Sequence, residues 1–237
     1  MTNLETFKQH AAEAALDLVQ SGMVLGLGTG STARYVLTGL GARLRDGRLR
    51  DIVGVATSEA TNALAGQLGI PMATLEMHPQ LDLALDGADE IDPELNLIKG
   101  LGGALLREKI VESSAARLII VADETKPVAQ LGTRAPLPVE VVRFALPVVA
   151  PRLALLGCTP TLRRAADGQP FLTDEHNYIL DCAFHGLPDA RALNVAIHAI
   201  AGVVEHGLFI GMATQAFVAG AEGVSTMVRP QASDDAR

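Results

Sequence analysis

Short apolar runs alternate along the first half of the chain with longer segments whose apolar positions recur at helical spacing. Leu4 to Gln20 carries an Ala/Leu/Val face at that spacing and stops at Ser21-Gly22, which predicts an amphipathic helix. Met23 to Leu27 predicts a buried strand, and Gly28-Thr29-Gly30-Ser31-Thr32 leads from it into a helical segment ending near Arg45. Ile52 to Ala56 reads as a second strand, and Ser58-Glu59-Ala60 opens a helix to about Leu68. Leu81 to Leu85 is a further apolar run, closed by Asp86-Gly87-Ala88-Asp89-Glu90. Gly103 to Ser114 follows as a helix and Leu118 to Ala122 as a strand. Strands of four to six residues alternating with longer helices predict an α/β fold, a mostly parallel sheet with helices on both faces.

The pattern changes after residue 132, where Pro136, Pro138, Pro147, Pro151 and Pro160 cluster. Val139 to Phe144, Thr161 to Arg164 and Tyr178 to Ala183 read as strands, with Val148 to Leu156 and Ala190 to Ile200 as helices. This predicts a smaller α+β domain over 133–207, set into a main domain of 1–132 and 208–237. The runs at Leu208 to Ile210 and Ala216 to Val218 are expected to rejoin the first sheet. The polar end, Gln231 to Arg237, is expected to fray.

Composition narrows the picture. With 237 residues, 49% of them apolar, the chain can bury a core without staples, and with only 3% aromatics that core must be aliphatic. A net charge of −8 argues against a nucleic-acid surface. The charged residues Glu5, Lys8, Glu13 and Asp17 rule out reading the start as a signal peptide, and no apolar run is long enough for a membrane span. Cys158 and Cys182 lack metal-type spacing and read as free thiols in a reducing compartment, so the cytoplasm is the expected location. Arg is the default cation, at fifteen against four Lys, which singles out Lys8, Lys99, Lys109 and Lys126.

Two segments carry candidate chemistry. In Gly28 to Thr32 two glycines permit a tight turn, while hydroxyls and the free N–H groups of a helix start offer an anion site, most simply for phosphate. A plain turn capped by Ser31 is the bland alternative. The spacing fits neither a dinucleotide fingerprint nor a Walker A loop, since no Lys precedes Ser31. The second segment runs from Asp86 to Glu108. Three carboxylates in five residues sit at the carboxyl end of a strand, where open α/β sheets bind ligands. A solvated turn or a divalent-cation site is the alternative, though no His or Asn completes a cage. Lys99 then precedes a Gly-rich turn entering the helix that bears Glu108.

These residues resemble the type A ribose-5-phosphate isomerase family. The resemblance rests on G-T-G-S-T at 28–32, D-G-A-D-E at 86–90, K-G-L-G-G-A-L-L-R-E-K at 99–109, A-D-E-T-K at 122–126, P-L-P-V-E-V at 136–141, N-Y-I-L-D at 177–181 and G-V-V-E-H-G-L-F at 202–209, in that order. It implies interconversion of D-ribose 5-phosphate and D-ribulose 5-phosphate, in the non-oxidative branch of the pentose phosphate pathway, with no metal and no cofactor. It also implies a Rossmann-like domain with a small α+β domain, assembled as a dimer or tetramer. Thr29, Gly30, Ser31 and Thr32 would hold the substrate, with its phosphate near Ser31 and Thr32. Gly87, Ala88, Gly100, Leu101 and Gly102 would line the sugar. Glu108 matches the proton acceptor, Lys126 a substrate-binding lysine, and Lys8 an N-terminal lysine near the phosphate. Leu101 interrupts a glycine run that the family often keeps unbroken.

An aldose–ketose isomerase removes a proton beside a carbonyl and returns it to the neighbouring carbon. One carboxylate can do both if burial brings its pKa toward the working pH, which suits Glu108. Lys99 and the glycine N–H groups would stabilise the negative oxygen. Asp86 and Asp89 would jointly serve ring opening and proton movement between oxygens. A non-enzymatic sugar-phosphate sensor and a coenzyme A transferase-like enzyme are the competing readings of the same sheet.

Overall fold

The computed structural model describes residues 3–229; the expected frayed end at 231–237 lies outside the described residues. The order is α1 (Asn3–Leu16), β1 (Val24–Leu27), α2 (Ala33–Arg45), β2 (Val53–Ala56), α3 (Glu59–Gln67), β3 (Leu83–Asp86), β4 (Glu90–Ile91), β5 (Leu97–Ile98), α4 (Leu105–Ser113) and β6 (Leu118–Asp123). Then follow β7 (Leu137–Val141), α5 (Leu146–Ala154), β8 (Thr159–Leu162), β9 (Tyr178–Ala183), α6 (Ala190–His198), β10 (Val203–His206), β11 (Leu208–Phe209), β12 (Ala213–Gly220) and β13 (Gly223–Val228). A short 3-10 turn, Arg143–Ala145, joins β7 to α5.

Six strands form the main sheet in the order β13-β12-β6-β3-β1-β2, all parallel except the edge strand β13. The period of two decides what each face meets. Leu25, Leu27, Leu83, Leu85, Ile119 and Val121 point to one side, against Ala11, Ala15 and Leu16 of α1 and Val36, Leu37 and Leu40 of α2. On the other side Ala84, Leu118, Ile120 and Ala122 meet Ile91, Leu97 and Phe209 of a three-stranded sheet ordered β11-β5-β4. Val111 of α4 closes against Gly26 and Ala84 on that same side. The second face is thus covered by one helix and a small sheet together.

A separate antiparallel sheet, β10-β7-β9-β8, packs its apolar face on α5 and α6 through Val139, Leu180, Val149, Leu153 and Ile197. Three expected strands shift here. That expected at Thr161 to Arg164 runs from Thr159 to Leu162. The first strand begins two residues earlier than expected, at Leu137, because both its faces are buried and Pro138 is accommodated in it; Phe144 lies past its end, almost wholly exposed. Leu208–Phe209 does not rejoin the main sheet: it pairs with β5, while β12 alone enters the main sheet beside β6. The two-residue strands β4 and β5 are too short to show periodicity.

Candidate active site

The carboxyl ends of β1 and β3 bring the two candidate segments together. Gly28, just past β1, donates its N–H to the Leu85 carbonyl at 3.0 Å. A Cβ at Gly28 would stand 2.0 Å from Asp86 Oδ1, so only glycine lets the loop lie against that carboxylate. Asp86 Oδ1 accepts from the N–H of Thr29 (3.0 Å) and of Gly87 (2.7 Å), and Oδ2 faces Lys99 Nζ at 2.6 Å. Asp86 therefore fastens the 28–32 loop to the strand and holds Lys99 beneath the site.

The loop ends in α2, whose N-cap Thr32 provides no side-chain cap; Ser31 is not the cap. The N–H groups of Gly30, Ser31, Thr32 and Ala33 have no acceptor among the described residues, leaving an anion cradle at the positive end of the helix. The Thr29 hydroxyl is used otherwise. It joins a cluster with Thr57 (2.7 Å), Ser58 (2.8 Å) and Thr61 (3.0 Å) that ties the loop to the start of α3. Lys8 reaches over from α1 to Ser31 Oγ at 3.1 Å, held also by Glu5 at 2.8 Å.

Helix α4 buries Leu105, Glu108, Val111 and Glu112, one stripe at helical spacing. Its two carboxyls converge on Lys99, whose Nζ lies 3.5 Å from Glu108 Oε2 and 3.0 Å from Glu112 Oε1, while donating to the Gly87 carbonyl at 2.9 Å. Atoms of Asp86, Glu108 and Glu112 fall within 4.8 Å of one another, a separation that would suit a cation; the Lys99 ammonium occupies that place with its own charge. Burial pushes Glu108 up to about 7, against the pull of Lys99 and with the help of Asp86 and Asp89. Burial likewise lifts Glu112 well above the carboxylate range. Burial alone would lower Lys99, but Asp86, Glu108 and Glu112 outweigh it and raise the ammonium well above its ordinary value. Asp89 accepts from the Leu101 N–H at 3.0 Å and is raised by burial.

A cavity of about 200 Å³ opens between these parts. Its wall contains Thr29, Gly30, Ser31, Thr32, Gly87, Ala88, Asp89, Lys99, Gly100, Gly102, Glu108 and Lys126. Three of the expected catalytic and substrate-binding residues stand elsewhere. Asp86 lies below the wall, fully buried. The Leu101 side chain is exposed and turned out of the cavity, with only its backbone near Asp89. Lys8 stands at the rim, on Ser31. The residue missed is Glu112, and its signal was present: it is four positions after Glu108, hence on the same face of α4.

Behind α4 is a second polar cluster. The Leu208 N–H donates to His206 Nδ1 (3.2 Å), His206 Nε2 meets His198 Nδ1 (3.0 Å), and His198 Nε2 meets Glu205 (3.0 Å). Lys109 closes the chain on Glu205 and on the His206 carbonyl, each at 2.6 Å. Phe209 lies between the two lysines, with Lys99 Nζ 5.2 Å and Lys109 Nζ 4.8 Å from its ring centroid.

A mostly parallel α/β sheet that joins an anion cradle to a buried carboxyl–ammonium cluster at its strand ends defines a class of enzymes: those that move protons on small phosphorylated molecules. Comparison with known proteins gives the family within that class. The profile of "Ribose 5-phosphate isomerase A (phosphoriboisomerase A)" matches residues 53–223, and the chain belongs to that family. A ribose-5-phosphate isomerase A from Roseiflexus castenholzii is 60% identical over 227 residues, 96% of this chain and 97% of that one. The solved ribose 5-phosphate isomerase from Plasmodium falciparum superposes with a TM-score of 0.93 at 41% identity, over 96% of this chain and all of that one. A D-ribose-5-phosphate isomerase solved in complex with phospho-erythronic acid gives a TM-score of 0.94 at 40% identity, over 96% and 100% of the two chains.

Proposed function

We propose that the protein interconverts D-ribose 5-phosphate and D-ribulose 5-phosphate, with Glu108 as the group that takes and returns the proton. The observation that carries this reading is the placement of Glu108, buried beside Lys99 in the cavity whose other wall is the uncapped start of α2. The N–H groups at 30–33, the Ser31 and Thr32 hydroxyls and the Lys126 ammonium receive the phosphate, with Lys8 steadying Ser31 from the rim. Anchoring that end brings the reacting carbons to Glu108 and lowers the entropic cost of alignment. Glu108, with a pKa of about 7, is available both to abstract a proton and to return it. As the enediolate forms, Lys99 and the cavity-facing N–H of the glycine turn stabilise the growing negative charge.

The different surroundings of the two aspartates support different roles for them. Asp86 is fully buried and saturated by two N–H groups and Lys99, so it positions the site. Asp89 lines the cavity with a carboxyl raised by burial, which suits proton exchange with the sugar oxygens and ring opening. A similar solved enzyme is in complex with phospho-erythronic acid, a phosphorylated sugar acid, and a ligand of that class supports reading this cavity as a sugar-phosphate site.

We assign residues 1–132 and 208–237 to the catalytic unit and 133–207 to a smaller unit that meets a second copy of the chain. The exposed apolar residues Phe144, Val148, Leu155 and Val195 on the smaller unit support a homodimer, or a tetramer built from it. No helix among the described residues is long and apolar enough to cross a membrane, and a cytoplasmic location follows from the reading of the cysteines as free thiols. The test is a ribose 5-phosphate to ribulose 5-phosphate assay on the purified protein, with Glu108→Gln alongside. Wild-type protein without turnover would overturn the activity, and a Glu108→Gln variant within a few-fold of it would remove Glu108 from the role.

A further inference from the structure

Arg163 follows β8 in the antiparallel unit, yet its guanidinium reaches across to the glycine turn of the cavity. Nη1 donates to the carbonyls of Gly100 (3.1 Å) and Leu101 (3.0 Å). Asp181 of β9, opposite Thr161 in the β8–β9 ladder, holds the other edge of the guanidinium through Nε at 2.9 Å and through Nη2. Phe171 completes the support: its ring lies 5.9 Å from the guanidinium and against Gly103, where a Cβ would come within 2.5 Å of it.

A planar trans peptide points its N–H opposite to its C=O. Fixing two successive carbonyls on Arg163 therefore aims two successive N–H groups the other way. The first, of Leu101, meets Asp89 Oδ2 at 3.0 Å. The second belongs to Gly102, which lines the cavity, and it has no acceptor among the described residues. We infer that the Arg163–Asp181 pair is a positioning device for the reaction, holding the 100–102 peptides so that the Gly102 N–H faces the oxygen that becomes negative and the Leu101 N–H holds Asp89. Arg suits this task because its fixed fork grips the Asp181 carboxylate along one edge and leaves the other for the carbonyls, which a single ammonium cannot reproduce.

The inference rests on the isomerase reading, and the experiment separates the two. Wild-type, Arg163→Gln, Arg163→Lys and Asp181→Asn proteins are assayed with ribose 5-phosphate. Inhibition constants are measured for phospho-erythronic acid, whose carboxylate imitates the enediolate, and for inorganic phosphate, which needs only the cradle. Loss of aim at one oxyanion donor is expected to lower kcat by roughly 10- to 100-fold in Arg163→Gln with KM little changed. Arg163→Lys and Asp181→Asn fall between it and wild type. The sugar acid should bind about 10-fold or more weakly to Arg163→Gln while inorganic phosphate binds as before. Inhibition constants do not depend on the folded fraction, so a merely structural role would leave both unmoved. Both constants unchanged, or both weakened alike, would overturn the inference with the isomerase reading intact. Wild-type protein that turns over no ribose 5-phosphate overturns that reading and this inference with it.

Discussion

Glu112 stands one helical turn beyond Glu108 on α4, and the two carboxyls share the ammonium of Lys99. Three buried carboxyls crowd one cation, and burial, with Asp86 and Glu108 beside it, raises Glu112 well above the usual carboxylate range, which favours its neutral form. Glu112→Gln preserves that neutral shape and should stay active. Lys99→Met strands the carboxyls without their cation. It should lower kcat by about 100-fold or more and cost on the order of 3 kcal/mol of stability. Steady-state kinetics and thermal melts on both variants check this; a Glu112→Gln enzyme as inactive as Lys99→Met would show that Glu112 works as an anion.

Turnover should rise with pH through about 7 as Glu108 loses its proton. Stability runs the other way. The folded state holds this proton more tightly than the unfolded chain, with its ordinary 4.5, so the stabilisation is complete below pH 4.5 and is lost as pH rises to about 7. The difference is roughly 3 kcal/mol. Glu108→Gln should lose turnover by ~100-fold or more yet melt higher than wild type at pH 8, with the advantage shrinking by pH 5. Equal melting temperatures at pH 8 would contradict the burial argument.

His206 tilts the acid side in the opposite direction. Burial first, then Lys109 and His198, depress its pKa to about 2, so it stays neutral in the folded chain over the working range. Its contribution is present above 6.5 and falls as pH drops below that value, by about 1.4 kcal/mol per unit. Melts of His206→Gln between pH 4.5 and 7 should show a flatter acid limb than wild type. A limb of unchanged slope would exclude His206 as its source.

Removing one member of the anion cradle should act on binding. Ser31→Ala and Lys126→Met are expected to raise KM for ribose 5-phosphate, the lysine change by about 10-fold, with kcat nearly constant, as for a contact made equally in ground and transition states. Inorganic phosphate should inhibit both variants less strongly. A fall in kcat at constant KM would move Lys126 from the phosphate to the reacting carbons.

The main sheet was legible because its strands are apolar runs set between helical stripes. The cavity was legible because most of its residues come from two glycine-marked turns. Apart from Glu112, what escaped notice lacked a local signal. Glu90 reads as part of an acidic turn, yet it is buried in β4, where it accepts the N–H groups of Gly132 (2.5 Å), Arg134 (2.6 Å) and Ala135 (2.8 Å) from a loop 42 to 45 residues away. Arg163 lies among surface-like residues, and its reach to Gly100 spans 63 positions that no periodicity links. Asp86 and Asp89 look equivalent in D-G-A-D-E and part only when strand β3 ends between them.

The contact between Gly28 and Asp86 also limits how this protein can change over generations. Any side chain at 28 must displace the carboxylate at 86, and any shrinkage at 86 to make room releases Lys99 and the Thr29 and Gly87 amides. Neither position can drift while the other waits. Two sites 58 residues apart are inherited as one, and descent through single substitutions keeps the pair or loses the site.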